Sequence, residues 1–385
     1  MSDAITPGNY RNLPIDRVAW GAFDSIVESA VSKAGARRVM IVSSNTLREK
    51  TDAVARLERT LGAKHVATFS GIKEHAPLPD VLNCVLAARE AKPDVIVTLG
   101  GSTPIDTVKV VQLALANDWT TLEALTGSAG RTYPATTTGL RQIAVPTTLS
   151  GGEFTSIGGA TDTATKSKVS FIAPNLCPEL VVLDPALTVH TPEWLWLSTA
   201  VRSIDHAVEG MLNAHGNPMI EAQALHALSM FFRELPKSKR NPQDLAARLA
   251  CQQAVWLSTA GLGRVSMGAS HGIGYILGTV GGVPHGHTSC VMLPAVLAWS
   301  EPFTEVAQRR IGRAMGDPHL SPAPQLRALL RALDLPQRLP DVGIREDQLD
   351  EIAQRALRHP VVLANARPIK TEADVREILD LAWKG

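Results

Sequence analysis

The sequence predicts a parallel α/β domain followed by an all-helical domain, and two patterns carry this prediction. Through the first half of the chain, short β-branched runs alternate with stretches whose apolar residues recur at intervals of three and four. Such alternation is typical of a parallel sheet with crossover helices. From about residue 190 onward, helical patterns dominate and strand-like runs become few. We therefore expect an α/β domain over residues 1–188 and an all-α domain over residues 189–385.

Five short runs are predicted to form the strands of the sheet. They are RRVMIVS (37–43), HVATFS (65–70), DVIVTLGG (94–101), RQIAVPTT (141–148) and ELVVLDP (179–185). Helices are predicted between them, for example in LREKTDAVARLERTL and LPDVLNCVLAAREA. Thr191 is a good N-cap, with Pro192 at the first helical position, so a helix should begin there and open the second domain. The segment HLSPAPQ (319–325) is predicted to be a loop.

Composition excludes several classes of protein. The 385 residues are 45% hydrophobic and 19% charged, as in an ordinary globular enzyme, and the length suits two domains with a core each. A formal charge of +1 with no dense Lys/Arg block does not favour nucleic-acid binding. The four cysteines are widely spaced, which argues against a disulfide framework and a thiolate metal cage. Without a signal-peptide pattern or a long apolar run, a soluble cytoplasmic protein is expected.

The first motif with chemical content is VTLGGSTPIDTVK (97–109). It places Gly100 and Gly101 between a predicted strand and Pro104, which suits the first turn of a helix. Bare backbone amides and the positive end of a helix favour a phosphate group. A purely structural tight turn is equally compatible with this motif.

The second motif is AVPTTLSGGEFTSIG (144–158), in which Thr147 and Thr148 follow a predicted strand. Hydroxyls at the carboxyl end of a strand can bind ribose or phosphate in the crevice where open α/β sheets bind ligands. Hydroxyls that satisfy a local turn are the alternative.

The third motif is GASHGIGYILGTVGGVPHGH (268–287), which contains His271 and His285, and an earlier helical run, VRSIDHAVEG, contains His206. Three imidazoles are a common ligand set for a catalytic transition metal with an open position. The glycines at 268, 272, 274 and 278 each cost a helix about 1 kcal/mol relative to alanine. We therefore expect another group to approach this backbone closely.

In their order and spacing, these motifs resemble the iron-containing alcohol dehydrogenase family, in the branch that includes the maleylacetate reductases. GGSTPID is similar to the family's GGGSPID pyrophosphate loop, PTTLSGGE to its PTT…GSE segment, and HAVEG and the histidine pair ending in PHG to its ligand histidines. The resemblance implies a Rossmann-like N-terminal domain and an all-α C-terminal domain, the fold shared with dehydroquinate synthase. It also implies NADPH or NADH as cofactor, a small carbonyl or alcohol substrate, and a homodimer.

Carried over residue by residue, the resemblance implies a cofactor site on seven positions, including Ser44. Gly100, Gly101 and Ser102 would hold the pyrophosphate, and Thr147, Thr148 and Lys168 would line the rest of the cofactor. Ser102 replaces the family's third glycine, so its side chain must point away from the phosphate or donate to it. Ser44 stands where NAD-selective relatives carry an aspartate. Because no carboxylate would repel a 2′-phosphate there, we expect NADPH to be accepted at least comparably with NADH.

The resemblance further implies that His206, His271 and His285 are the ligands of a divalent iron or zinc ion. In metal-dependent relatives, an aspartate four residues before the first histidine completes the ligand set, but here that residue is Arg202. Asp205 lies about 100° round the helix from His206 and is not expected to replace the missing aspartate.

Three interpretations of Arg202 stay open. Three neutral imidazoles hold a metal weakly, or the site is a metal-free anion site in which Arg202 binds a carboxylate, or Arg202 forms a structural ion pair with Asp205 or Glu209. Electrostatics favour the second, because a guanidinium repels a dication in a low-dielectric site and matches a carboxylate bidentately.

Tyr275 replaces a histidine that relatives place beside the nicotinamide. Its phenol can donate a proton to a nascent alkoxide, or its ring simply packs against the nicotinamide.

The sequence thus predicts an NAD(P)H-dependent reductase of a small carbonyl compound, such as a keto acid of the maleylacetate type, with Arg202, Tyr275 and the three histidines as catalytic residues. A metal-dependent alcohol dehydrogenase, a more remote dehydroquinate-synthase-like lyase and a catalytically inactive cofactor-binding protein are the alternatives.

Overall fold

The computed structural model describes residues 10, 15, 17–136, 138–165, 167–213 and 217–385. Most of the N-terminal segment, in which no signal-peptide pattern is found, therefore lies outside the described residues. The chain divides into two compact units. The N-terminal unit comprises residues 15–200 with Glu234–Val255, and the C-terminal unit comprises Val201–Arg233 with Trp256–Gly385.

Nine strands lie in the described chain. They are β1 (Arg17–Trp20), β2 (Val39–Ser43), β3 (His65–Phe69), β4 (Val95–Gly100), β5 (Arg131–Thr132), β6 (Arg141–Pro146), β7 (Ile157–Asp162), β8 (Ser167–Ile172) and β9 (Leu180–Leu183). Six of them form a fully parallel sheet in the order β1-β9-β6-β4-β2-β3. The five predicted strands are β2, β3, β4, β6 and β9, so the predicted parallel α/β class is confirmed.

The helices come between the strands and then dominate. They are α1 (Phe23–Lys33), α2 (Asn45–Lys50), α3 (Ala53–Leu61), α4 (Leu78–Ala91), α5 (Ser102–Ala116), α6 (Leu122–Ser128), α7 (Pro185–Thr188), α8 (Glu193–Leu212), α9 (Pro218–Arg240), α10 (Leu245–Ser258), α11 (Ala269–Gly281), α12 (His285–Met315), α13 (Pro322–Ala332), α14 (Leu349–Leu357), α15 (Pro360–Leu363) and α16 (Glu372–Lys384). Within the residues placed by the structure, no helix is long and apolar enough to cross a membrane.

Two local predictions need comment. The loop predicted over 319–325 is wrong from Pro322 onward, where α13 begins. Ser321 is the N-cap of this helix, and Pro322 occupies its first turn, a position that suits proline. The helix predicted after Thr191 is α8, but the Thr191 hydroxyl donates to the backbone oxygen of Thr147 (2.7 Å). Thr191 therefore ties the start of α8 to the end of β6.

The six-stranded sheet is covered on both faces because side chains alternate along each strand. In β2, Met40 and Val42 pack in one apolar cluster with residues of α4 and α5, whereas Val39 and Ile41 pack in another with residues of α1 and α3. All four are fully buried. A fully buried parallel sheet leaves its carboxyl edge as the natural place for a ligand.

A second sheet, of order β5-β8-β7, was not predicted. β7 contains two glycines, which weaken the strand pattern in the sequence. The glycines are needed because α5 packs closely on β7: a Cβ at Gly158 would lie 3.1 Å from Lys109 Cβ, and one at Gly159 would lie 3.1 Å from Asp106 Oδ2.

In the C-terminal unit, α11, α12, α14 and α16 surround one apolar core. The glycines of α11 permit a close approach, as expected. The groups that approach the helix are other segments of the same chain. A Cβ at Gly272 would lie 2.4 Å from Val362 Cγ2, and one at Gly274 would lie 2.9 Å from Thr288 Oγ1. At Gly278 only ordinary contacts of 3.6 Å and more would form. Gly272 and Gly274 therefore allow α15 and α12 to pack closely on α11, whereas no close contact requires Gly278.

Candidate functional site

The carboxyl ends of β2, β4 and β6 lie side by side and carry the residues predicted to bind a cofactor. Gly100 has a φ of +142°, and a Cβ there would lie 2.9 Å from Pro104 Cγ and 3.4 Å from Ser44 Cβ. Gly101 is the N-cap of the 15-residue helix α5, and no described side chain caps the helix. Open amides at a helix N-terminus on this edge fit a pyrophosphate.

Small polar side chains frame this glycine pair. The backbone N–H of Thr147 donates to the Gly100 oxygen (2.9 Å), and a Cβ at Gly101 would lie 2.9 Å from Thr148 Cγ2. Ser102 faces Gly152, where an added Cβ would lie 3.0 Å from its Oγ. The Ser44 Oγ accepts a hydrogen bond from the Leu47 N–H (3.4 Å) and so caps α2. The side chain that follows β2 is therefore the hydroxyl of Ser44 and not a carboxylate.

Lys168 lies on the second sheet rather than on this edge. It pairs with Thr161 across β7 and β8, and it is exposed. A Cβ at Gly159 would lie 3.4 Å from Lys168 Cε and 3.1 Å from Asp106 Oδ2, so Lys168 and Asp106 of α5 face the same glycine.

Sequence reasoning missed Lys109, which organises the loop after β6. This fully buried ammonium group donates to the Gly152 oxygen (2.6 Å), the Ile157 oxygen (3.0 Å) and Thr155 Oγ1 (3.1 Å), and pairs with Asp106 Oδ1 (3.2 Å). Nearby, burial raises the pKa of Glu153 to about 7, although its backbone hydrogen bond and the Lys109 charge oppose the rise. Lys109 ends the motif at 97–109, but the two backbone oxygens that it binds lie 43 and 48 residues later, so no local pattern could predict these contacts.

The five residues predicted to be catalytic come together in the C-terminal unit. The rings of His206 and His271 lie 5.0 Å apart at an angle of 30°. Tyr275 lies edge-on to His271 (6.5 Å between centroids) and to His285 (6.2 Å). The Arg202 Cζ lies 5.6 Å from the centre of the Tyr275 ring. Helices α8, α11 and α12 supply these side chains.

Glu209 fixes the start of α11 and the orientation of His271. Its carboxylate accepts hydrogen bonds from the backbone N–H groups of Gly268 (2.7 Å), Ser270 (2.7 Å) and His271 (3.3 Å), and Oε2 lies 2.7 Å from His271 Nδ1. Asn365 accepts from the remaining amide, that of Ala269 (3.0 Å). A Cβ at Gly268 would lie 2.8 Å from Glu209 Oε1, so only glycine admits this cap.

The contact with Glu209 sets the proton of neutral His271 on Nδ1 and leaves the lone pair on Nε2. Nε2 is buried and has no hydrogen-bond partner among the described residues. Burial and the Arg202 charge lower the pKa of His271, but Asp205 and Glu209 outweigh them and hold it above the ordinary value. For His206, burial, His271 and Arg202 all act in one direction and lower the pKa well below the ordinary value.

A buried network holds Arg202. Its Nη1 donates to Ser289 Oγ (3.1 Å), and the Ser289 hydroxyl donates to Asp205 Oδ2 (2.7 Å). The Ser270 hydroxyl donates to the same oxygen (2.7 Å). The direct distance from Arg202 Nη1 to Asp205 Oδ2 is 3.8 Å, so Ser289 connects the two charges.

The fit of these residues to a divalent metal depends on which lone pairs are available. Asp205, Glu209 and His271 place ligand atoms within 4.8 Å of one another. However, the Glu209 oxygens already accept four N–H groups, and Asp205 Oδ2 accepts two hydroxyls. Arg202 adds a positive charge at the imidazoles. Asp205 Oδ1 is nevertheless buried and makes no hydrogen bond to any described residue, so one carboxylate oxygen stays available as a ligand. The positive charge of Arg202, rather than a lack of donor atoms, is what opposes a dication at this position.

The comparisons with known proteins give the class. The sequence profile of the iron-containing alcohol dehydrogenases matches residues 18–185, and the C-terminal profile of the Fe-containing alcohol dehydrogenase family matches residues 196–383. The chain belongs to the iron-containing alcohol dehydrogenase family and is an oxidoreductase.

Individual relatives include both dehydrogenases and reductases. The chain is 35% identical over 364 residues to Dehydrogenase ALT3 of Alternaria alternata, covering 84% of this chain and 93% of the relative. It is 29% identical over 378 residues to the maleylacetate reductase of Sphingobium indicum, covering 98% and 97%. The crystal structure of maleylacetate reductase from Agrobacterium tumefaciens matches with a TM-score of 0.84 at 26% identity, covering 99% of each chain.

Proposed function

We propose that this protein is an NAD(P)H-dependent reductase of a small oxo acid and that it acts without a metal. The observation that carries the proposal is the state of Arg202. Its side chain is only 10% exposed, yet within the described chain only Nη1 makes a hydrogen bond, to Ser289. A guanidinium has five N–H donors in a planar fork, which matches a carboxylate bidentately. Arg202 is therefore assigned to the carboxylate of the substrate.

The cofactor is assigned to the carboxyl edge of the sheet. When bound, a nicotinamide cofactor supplies the hydride. The amides after Gly100 and Gly101 hold the pyrophosphate, and Thr147, Thr148 and Lys168 contact the rest. Ser44 carries no carboxylate that would repel a 2′-phosphate.

The chain itself contributes a proton to the reduction and orients the substrate. Asp205 and Glu209 favour the protonated form of His271, whose Nε2 then donates to the oxygen that develops negative charge. His206 stays neutral because burial disfavours its charged form. Tyr275 packs between Arg202 and the histidines and orients the substrate.

The test is reduction by metal-depleted enzyme. The protein is treated with a chelator, its metal content is measured, and NADPH oxidation is followed with an oxo acid and with an aldehyde of the same chain length. We expect kcat/KM for the oxo acid to stay within about twofold of the untreated value and to exceed that for the aldehyde by about 30-fold or more, the value of a charge-assisted contact. One tightly bound metal per chain, with activity lost to the chelator, would contradict the proposal.

A metal-dependent alcohol dehydrogenase is the second candidate. His206 Nδ1 and His271 Nε2 are buried without partners in the described part of the chain, and imidazole nitrogens of this kind bind metals. Alcohol oxidation stimulated by added Zn²⁺ or Fe²⁺ would establish this function instead. Tight NADPH binding with no turnover of any carbonyl compound would point to an inactive cofactor-binding protein.

A further inference from the structure

His359 is the N-cap of α15, and its contacts fix one tautomer. Its Nδ1 accepts a hydrogen bond from the Val361 N–H (3.3 Å). Because that lone pair is occupied, the ring proton of neutral His359 resides on Nε2. Burial lowers the pKa of His359, which favours the neutral ring. His359 therefore presents a fixed N–H donor.

This donor lies beside the residues of the proposed site. The His359 ring is 5.6 Å from the Tyr275 ring, centroid to centroid, and Arg202 Cζ is 5.6 Å from the same Tyr275 centroid. Across the described residues, His359 Nε2 has no hydrogen-bond partner. Arg202 and His359 thus both lie beside one phenol ring, and each has N–H donors that no described residue accepts.

We infer that His359 is a specificity-determining residue whose Nε2–H donates to a second acceptor oxygen of the substrate, apart from the carboxylate bound by Arg202. The inference rests on the proposed function of Arg202. In this role, His359 favours short acids that carry a carboxylate or a hydroxyl at the end far from Arg202 over acids that end in a methyl group. A neutral N–H donor suits this role because it can donate to a carboxylate oxygen or to a hydroxyl oxygen.

Two variants separate recognition from capping. His359→Asn keeps an acceptor near the Nδ1 position, where asparagine is a good N-cap, and removes the distal donor. His359→Gln places an amide N–H near the Nε2 position and should restore recognition. Arg202→Ala serves as the reference variant for the carboxylate contact.

The experiment is calorimetric titration of the full-length protein, with NADPH present, using adipate, 6-hydroxyhexanoate and hexanoate. His359→Asn should raise the Kd of adipate about 10- to 100-fold, as for a lost hydrogen bond to a charged group, and the Kd of 6-hydroxyhexanoate about threefold to tenfold. The Kd of hexanoate should change by less than about twofold, and His359→Gln should bring adipate back to within about fivefold of the wild type.

The outcomes separate the inference from the function on which it rests. If Arg202→Ala weakens all three acids while His359→Asn weakens none, the anion site stands and the role of His359 is overturned. Equal weakening of the three acids by His359→Asn would also overturn it, because the residue would then act only through the cap. If the wild-type protein binds none of the acids, the proposed function fails and the inference with it.

Discussion

The carboxyl edge of the sheet and the histidine cluster are built from different parts of the polypeptide. The edge consists of backbone amides and small side chains around Gly100 and Gly101. The cluster consists of charged and titratable side chains from separate helices, linked by buried hydrogen bonds such as those of Glu209 and Asp205. The first kind of site depends mainly on the backbone, whereas the charge of the second depends on individual side chains such as Arg202.

The largest expected effect tests the cluster. Arg202→Ala should cost about 2–4 kcal/mol of transition-state binding for oxo acids, the usual cost of losing one partner of a buried charged contact. Aldehydes without a carboxylate should be nearly unaffected. The measurement is kcat/KM for an oxo acid and an aldehyde of equal length.

Arg367→Ala is a matched control in the same unit, since Arg367 stacks on Trp299 (3.6 Å) and donates to its backbone oxygen. It should lower stability without changing the ratio of oxo acid to aldehyde. A parallel loss for both substrates in Arg202→Ala would remove the carboxylate assignment.

Arg202→Asp extends the test, because it restores the carboxylate of metal-dependent relatives and should allow added Zn²⁺ or Fe²⁺ to stimulate alcohol oxidation.

The next largest effect is on the pH dependence of stability, through Glu153 in the N-terminal unit. Glu153 has a pKa of about 7 in the folded chain against an ordinary value of 4.5, so folding favours its protonated form. This contribution to stability is fully present below pH 4.5 and is lost as the pH rises through 7. Glu153→Gln should therefore stabilise the protein by up to about 3 kcal/mol at pH 8 and hardly at all at pH 4. Thermal unfolding of both proteins across this range measures the difference, and a pH-independent difference would contradict the assignment.

A third prediction addresses how the cluster holds its proton. Glu209 and Asp205 raise the pKa of His271. If protonated His271 is the acid of the proposed reduction, activity is lost as the pH rises through that value. Glu209→Gln keeps an acceptor but removes a charge, and the pKa of His271 should fall. The alkaline decline of kcat for the oxo acid should then begin at a lower pH. Ser270→Ala removes a hydroxyl from Asp205 without removing a charge, and it should move the decline less.

Most of the fold and half of the site could be predicted from the sequence. Gly100, Gly101, Thr147 and Thr148 stand out because glycines and hydroxyls after a strand form a contiguous pattern. The cap that Glu209 forms on α11 and the bond of Ser289 to Asp205 could not be identified in this way, since their partners are 61 and 84 residues away and depend on how helices pack. The direction of Arg202 likewise depends on Ser289, 87 residues later in the chain.

The smallest effect tests the edge of the sheet. Thr148→Val keeps the shape that packs against Gly101, where an added Cβ would lie 2.9 Å from Thr148 Cγ2, and removes only the hydroxyl. If that hydroxyl bonds the cofactor, nucleotide binding should weaken by about 0.5–1.5 kcal/mol, seen as a rise in the KM of NADPH. Thr107→Val is the matched control, because the Thr107 hydroxyl on α5 is buried and makes no hydrogen bond to any described residue. The control should leave KM unchanged, and an unchanged KM in Thr148→Val as well would remove Thr148 from the cofactor site while leaving the glycine pair in it.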